Sequence, residues 1–294
     1  MNQPASILAA TDFSDASRVA VGLASRLAHH TGGTLHLVHV EEPLLVAAAR
    51  HGHIDLAAET RRELEAFAAT LVPPPARAEY QVARGDAVTA LLETAARLDA
   101  DVLVVGRHGM SGPAHLVFGS VTEGLVRHAE LPLLVVPPSW SPPEPSASDL
   151  RGTGPVVAAT DFTPAATAGV EAACGWADLL DSDLEVLHVA PEPFVLARWQ
   201  AHAQAAAVER LESVRRELET LASRLPRAHR VRAIVESGQV PAQLAASTAP
   251  APGRHPVLVL GKRPRSARGT SPVAVTLRAL AAVSVPVLVQ PHTA

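Results

Sequence analysis

Asp101-Val102-Leu103-Val104-Val105-Gly106, continuing into Arg107-His108-Gly109 and, nine residues further on, Gly119-Ser120-Val121-Thr122-Glu123, decides how this chain is read. The apolar run after Asp101 is short, largely β-branched and apolar on both faces, which is the pattern of a buried parallel strand. The segment from Ser120 has helical spacing. A strand that ends in glycines and opens a helix brings backbone N–H groups and the positive helix end close to an anion, so the stretch reads as a phosphate site. Ser120 with Glu123 also has the form of a capping box, and Gly112-Pro113 that of a plain turn.

Outward from this stretch, the chain repeats itself. Ile7-Leu8-Ala9-Ala10-Thr11-Asp12-Phe13 returns as Val156-Val157-Ala158-Ala159-Thr160-Asp161-Phe162. Thr34-Leu35-His36-Leu37-Val38-His39-Val40 returns as Asp183-Leu184-Glu185-Val186-Leu187-His188-Val189. Asp101 to Gly106 has its counterpart in Pro256 to Gly261, and Leu131 to Pro137 in Val285 to Pro291. The order is the same in both halves, so the chain carries two copies of one domain. Residues 1–137 form the first copy and 155–294 the second, joined by the Pro/Ser/Gly-rich linker 138–154.

In the first copy, strands are expected near 5–11, 34–40, 78–84, 101–106 and 131–136, and helices near 15–31, 55–71, 87–98 and 120–129. The fold class is therefore α/β: two tandem Rossmann-like, doubly wound domains, each with a five-stranded parallel sheet. Ligands of such sheets sit at the carboxyl ends of the strands, where Thr11-Asp12, Val40 and Gly106 all fall. The closing strands, Leu131 to Val136 and Val285 to Val289, are apolar edges expected to pair with each other as an internal pseudo-dimer. A homodimer of whole chains is left open.

Composition bounds the function. The 294 residues are 48% hydrophobic and 18% charged, as in a globular protein. A net charge of −4 argues against a nucleic-acid surface. No apolar run approaches the roughly 18 residues of a membrane span, and the N-terminus lacks a secretory pattern. The single cysteine, Cys174, excludes an internal disulfide framework and fits a cytoplasmic location. It reads as a small buried helix residue. His51 and His53 have no third partner at metal-ligand spacing and read as loop residues, so no metal site is expected.

The Thr11-Asp12-Phe13-Ser14 opening, the Leu37-Val38-His39-Val40 strand, the Gly106-x2-Gly109-x9-Gly119-Ser120 motif and the Leu131-Pro132-Leu133-Leu134-Val135-Val136-Pro137 closing strand together resemble the universal stress protein family in its tandem form. The resemblance covers almost the whole chain outside the linker. It implies a cytoplasmic, nucleotide-responsive stress regulator whose protein partners vary. In the ATP-binding branch, Asp12 would contact the ribose and Val40 the adenine. Gly106, Gly109, Gly119, Ser120 and Val121 would hold the phosphates. Thr11 belongs to the same strand end. By side-chain chemistry, and not by the resemblance, Arg107 or His108 could meet phosphate from within the loop, while His115 has no assigned role. A Mg2+ ion would bind through the phosphates themselves. On the residues alone, Asp12 also fits a turn or cap with Ser14, Val40 a core position, and Arg107 and His108 a solvated loop face.

The second copy departs from the motif. Lys262-Arg263-Pro264-Arg265 follows Gly261, so proline replaces the second glycine, and Ala274-Val275 stand where Gly-Ser is required. Proline lacks an N–H and alanine adds a Cβ where close approach is needed. One ATP site is expected, in the first copy. No serine-nucleophile elbow, lysine-containing P-loop or zinc-protease motif occurs, so binding without catalysis is expected. A non-nucleotide interaction scaffold and a slow ATPase are the alternatives.

Overall fold

The computed structural model describes residues 4–71, 74–75, 77–109, 118–142, 150–191, 200–225, 230–263 and 272–292. His115, Gly112-Pro113 and Pro264-Arg265 lie outside the described residues. Contacts divide the chain into two compact units, residues 1–150 with 286–289, and 151–285 with 290–294.

The first unit runs β1 (Ser6–Ala10), α1 (Asp15–Thr31), β2 (Thr34–Glu41), α2 (Pro43–His51), α3 (Leu56–Ala69), β3 (Ala78–Arg84), α4 (Ala87–Arg97), β4 (Val102–Gly106), α5 (Ser120–His128) and β5 (Leu133–Val136). The order across the sheet is β3-β2-β1-β4-β5, all parallel. Every residue of β4 and β5 is buried. Side chains alternate between faces along a strand, so burial of all of them means that both faces are covered, which is why these strands lack a polar alternation. The order reverses between β1 and β4, and this switch point places Thr11 and Gly106 on adjacent strand ends.

Helix signals are local. Ser14 caps α1, its hydroxyl accepting from the Ser17 N–H, and Gly32 ends that helix in the left-handed region at φ 68°. Asp55 and Asp86 cap α3 and α4 in the same way as Ser14. Helix α2 is an element the hydrophobic pattern does not announce, because only Ala49 on it is buried. His51 is consequently its last residue and not a loop residue, with Nδ1 2.8 Å from the Ala47 carbonyl oxygen. His53 does follow the helix, at φ 55°.

The last strand of the chain, β10 (Val287–Pro291), pairs antiparallel with β5 in the register Val287 to Val135, Leu288 to Leu134 and Val289 to Leu133. The pairing of the two closing strands is thus as the sequence implies, and residues 286–289 count with the first unit.

The second unit runs β6 (Val156–Ala159), α6 (Pro164–Leu179), β7 (Leu184–Ala190), α7 (Gln200–Arg224), β8 (Val231–Ser237), α8 (Val240–Ser247), β9 (Val257–Lys262) and α9 (Pro272–Ala282). Its strands are parallel in the order β9-β6-β7-β8, the same arrangement as β4-β1-β2-β3. Cys174 is buried on α6, as expected of a small apolar helix residue. Burial, with Asp178 and Glu171 nearby, pushes its thiol up to about 11.

Candidate functional site

The site of the first unit begins where β1 stops. The Thr11 N–H still donates to the Val38 carbonyl at 2.9 Å, extending the ladder by one residue. The chain then turns through Phe13, whose φ of 63° is unusual for a bulky residue. Two side chains fix that turn. Thr11 Oγ1 accepts from the Phe13 N–H at 2.9 Å, and Asp12 Oδ1 accepts from both the Ser14 N–H (3.1 Å) and the Ser14 hydroxyl (2.5 Å). A third support comes from β2. His39 Nδ1 lies 2.9 Å from the Thr11 carbonyl, which can only accept, so Nδ1 carries the proton. The ring stands 4.8 Å from that of Phe13.

Asp12 therefore does make a turn with Ser14, but only through Oδ1. Oδ2 points at the glycine loop: a Cβ built on Gly109 would lie 2.5 Å from it. The strand-end carboxylate and the loop separated by nearly a hundred residues in sequence can approach this closely only because residue 109 has no side chain.

The loop closes on itself across the residues described. The Gly119 N–H donates to the Arg107 carbonyl at 3.1 Å, and the Arg107 N–H to Val136 at 2.9 Å. A Cβ on Gly119 would sit 3.5 Å from the Gly109 nitrogen and 3.7 Å from His108 Cα. Gly106 is packed against α1, with Ala16 oxygen 3.1 Å from its would-be Cβ, and its own carbonyl accepts from Thr122 Oγ1 at 2.7 Å. Gly106, Arg107, His108, Gly109, Gly119 and the start of α5 form one cradle.

The N-terminus of α5 is not capped as its sequence implies. Gly119 is the N-cap and makes no side-chain bond; Ser120 is the first helical residue and is exposed; the Glu123 carboxylate pairs with Arg127 one turn on. The loop sets Gly119, not Ser120, at the cap position, so the capping box cannot form. Among the described residues the first-turn N–H groups, Ser120 and Val121 among them, have no side-chain acceptor, which is the state an anion-binding helix end requires. Arg107 is half-buried, and burial holds its guanidinium below the usual value. Val40 is half-buried at the carboxyl end of β2, two residues past the carbonyl that Thr11 uses. Among the described residues no group of three His, Cys, Asp or Glu side chains is arranged to hold a metal.

The second unit repeats the strand-end turn in full. Phe162 has φ 60°, and its N–H bonds to Thr160 Oγ1 at 3.0 Å. Asp161 Oδ1 accepts from the Thr163 N–H and hydroxyl, and His188 Nδ1 sits 2.8 Å from the Thr160 carbonyl. The other carboxylate oxygen, Asp161 Oδ2, is 3.4 Å from Arg263, the counterpart of His108. Ala274 and Val275 lie inside α9, which begins at Pro272, so the helix starts ahead of the positions that carry Gly-Ser in the first copy.

Sequence reasoning misses Phe13, His39 and Thr122, and names Arg263 only as part of the basic run after Gly261. His39 had a readable signal, since the repeat returns it as His188. The contact between Asp161 and Arg263 had none, being a through-space pairing.

Comparison with known proteins follows the same division. The universal stress protein family model matches residues 5–137. Universal stress protein G of Salmonella typhimurium is 36% identical over 115 residues, covering 35% of this chain and 78% of that one. A universal stress protein of Thermus aquaticus is 31% identical over 137 residues, covering 44% of this chain and 96% of that one. In structure, a universal stress protein from Archaeoglobus fulgidus superposes over 98% of this chain and 96% of its own, with a TM-score of 0.60 at 16% identity, which is a likeness of fold. By its matched sequence, this chain belongs to the universal stress protein family, whose role is in the stress response.

Proposed function

We propose that the first unit is an ATP-binding regulatory module and that the second unit does not bind nucleotide. The observation that carries this reading is the approach of Asp12 Oδ2 to Gly109 beside an α5 N-terminus that no side chain caps among the described residues. A carboxylate oxygen outside the turn accepts ribose hydroxyls; the backbone at Val40 offers an adenine edge its amide groups; the loop and first-turn N–H groups of Gly109, Gly119, Ser120 and Val121 suit phosphate oxygens. Thr11 orients Asp12, and Arg107 and His108 stand at the loop to meet charge. Mg2+ would be carried by the phosphates, whose charge it offsets.

The module works by linkage, not by catalysis. ATP that bridges β1, β2 and the loop favours whichever arrangement binds it better, and passes that preference to protein partners. In the second unit Arg263 neutralises the Asp161 carboxylate at the place where a ribose would sit. A reducing cytoplasm suits a chain with one buried cysteine.

Calorimetric titration of the full chain with ATP, with mass analysis of nucleotide released on denaturation, tests the reading. Saturation at about one equivalent, abolished by Gly119→Val and unaffected by Asp161→Ala, is expected. Absence of both ATP binding and co-purified nucleotide points instead to an interaction scaffold. Steady phosphate release that disappears in Gly119→Val would make the protein a slow ATPase.

A further inference from the structure

Glu41, the last residue of β2, is fully buried. A buried carboxylate is tolerated only when paired and hydrogen-bonded. Thr60 Oγ1 donates to one oxygen at 2.9 Å and Arg84 Nε to the other at 2.8 Å. The pairing holds Arg84 by its Nε and leaves its terminal nitrogens without a partner among the described residues. Arg84 lines an open pocket of about 310 Å3 with Arg50, Pro43, Val46, Ala47 and Gly85. The Arg50 guanidinium also has no partner among the described residues. Glu41 offsets the charge of Arg84, so the pocket keeps the charge of Arg50 together with the terminal N–H donors of both arginines. Glu41 is spent on Thr60 and one arginine nitrogen, Asp86 accepts from the Thr89 N–H and hydroxyl, and Glu42 is exposed ahead of α2.

We propose that this pocket binds a small organic anion with an apolar body, an aromatic carboxylate in chemical class. Two planar guanidinium groups match a carboxylate's paired oxygens. Pro43, Val46 and Ala47 supply an apolar wall for a ring. The volume is at the low end for ligand sites, which limits the occupant to one or two rings. Gly85, at φ 118° with nothing within 4 Å of its would-be Cβ, keeps one side open. The pocket shares no residue with the glycine cradle, yet Glu41 directly follows Val40. An anion here and a nucleotide there would therefore meet the same strand end, and any coupling between them would be reciprocal.

The test titrates 2-naphthoate into the full chain, followed by calorimetry and ligand-detected NMR. Saturable binding with Kd below about 1 mM is expected, weakened roughly tenfold or more by Arg50→Gln and for the uncharged 2-naphthamide. Arg84→Gln should weaken it similarly, but that variant strips Glu41 of its ion pair. Arg50→Gln, at an exposed side chain with no partner among the described residues, keeps the test valid if Arg84→Gln fails to fold. No saturation by roughly 10 mM, or equal binding in Arg50→Gln, overturns the proposal. Gly119→Val, which removes ATP binding, should leave naphthoate binding unchanged; its loss there would assign the anion to the glycine cradle instead.

Discussion

His39 Nδ1 donates to the carbonyl oxygen of Thr11 across 2.9 Å, joining the end of β2 to the end of β1 at the point where the backbone turns left-handed. The left-handed turn at Phe13 costs about 1–3 kcal/mol and persists because its surroundings over-determine it. The Thr11 and Asp12 side chains, the His39 bond and the ring contact with His39 are those surroundings. Because His188 does the same for Thr160 and Phe162, the device belongs to the fold and not to nucleotide binding alone.

Replacing either histidine separates the two roles. His39→Ala and His188→Ala should each destabilise the protein by about 1–2 kcal/mol, the worth of a hydrogen bond whose acceptor is left short. Only His39→Ala should also weaken ATP binding. Denaturant titration and calorimetry on both variants check this; equal loss of ATP affinity in the two would contradict a single nucleotide site.

Gly109→Ala isolates the contact with Asp12. Its backbone is not left-handed, so the added methyl meets the carboxylate and not a conformational penalty. Asp12 must move, and ATP affinity should fall about tenfold or more, with a melting temperature within a few degrees of wild type. Asp12→Asn, which keeps the shape and removes the charge, shows how much of that loss is the carboxylate itself.

Thr122→Val tests the anchoring of the loop from below. The substitution keeps volume and removes the 2.7 Å buried bond to the Gly106 carbonyl. A loss of about 1–3 kcal/mol is expected, together with faster amide exchange at Gly106, Arg107 and Gly119. Unchanged exchange in that loop would show that α5 is held by packing alone.

Cys174 gives a pH dependence with a definite sign. Its native thiol titrates at about 11, above the value in an unfolded chain. Between pH 9 and 11 the unfolded state loses its proton first, so the native state binds more protons and stability falls as pH rises. The decline over that range should be shallower in Cys174→Ala, by roughly 1–2 kcal/mol. The comparison rests on the slope, because the lost volume lowers stability at every pH.

The parallel sheets and the pairing of closing strands were legible because they are written in repeated short apolar runs, such as Val102 to Val105 and Val156 to Val157. Asp12, Gly109 and Gly119 were legible because their residue types are constrained by backbone chemistry. Helix α2 was not, since a helix that buries only Ala49 leaves no amphipathic stripe. The cap of α5 was misread because S-x-x-E is a local signal, while the cap position is set by the Gly119–Arg107 bond that closes the loop. Arg263 and Glu41 act through contacts made only in three dimensions.

The final strand of the chain completes the sheet whose first strand begins at residue 6. During synthesis, then, the apolar edge of β5 waits uncovered while everything up to Val289 is made, and a strand edge in that state invites foreign pairing. Val287, Leu288 and Val289 are in this sense a latch made after the thing it fastens. A chain stopped before Val287 would leave an early-made sheet open.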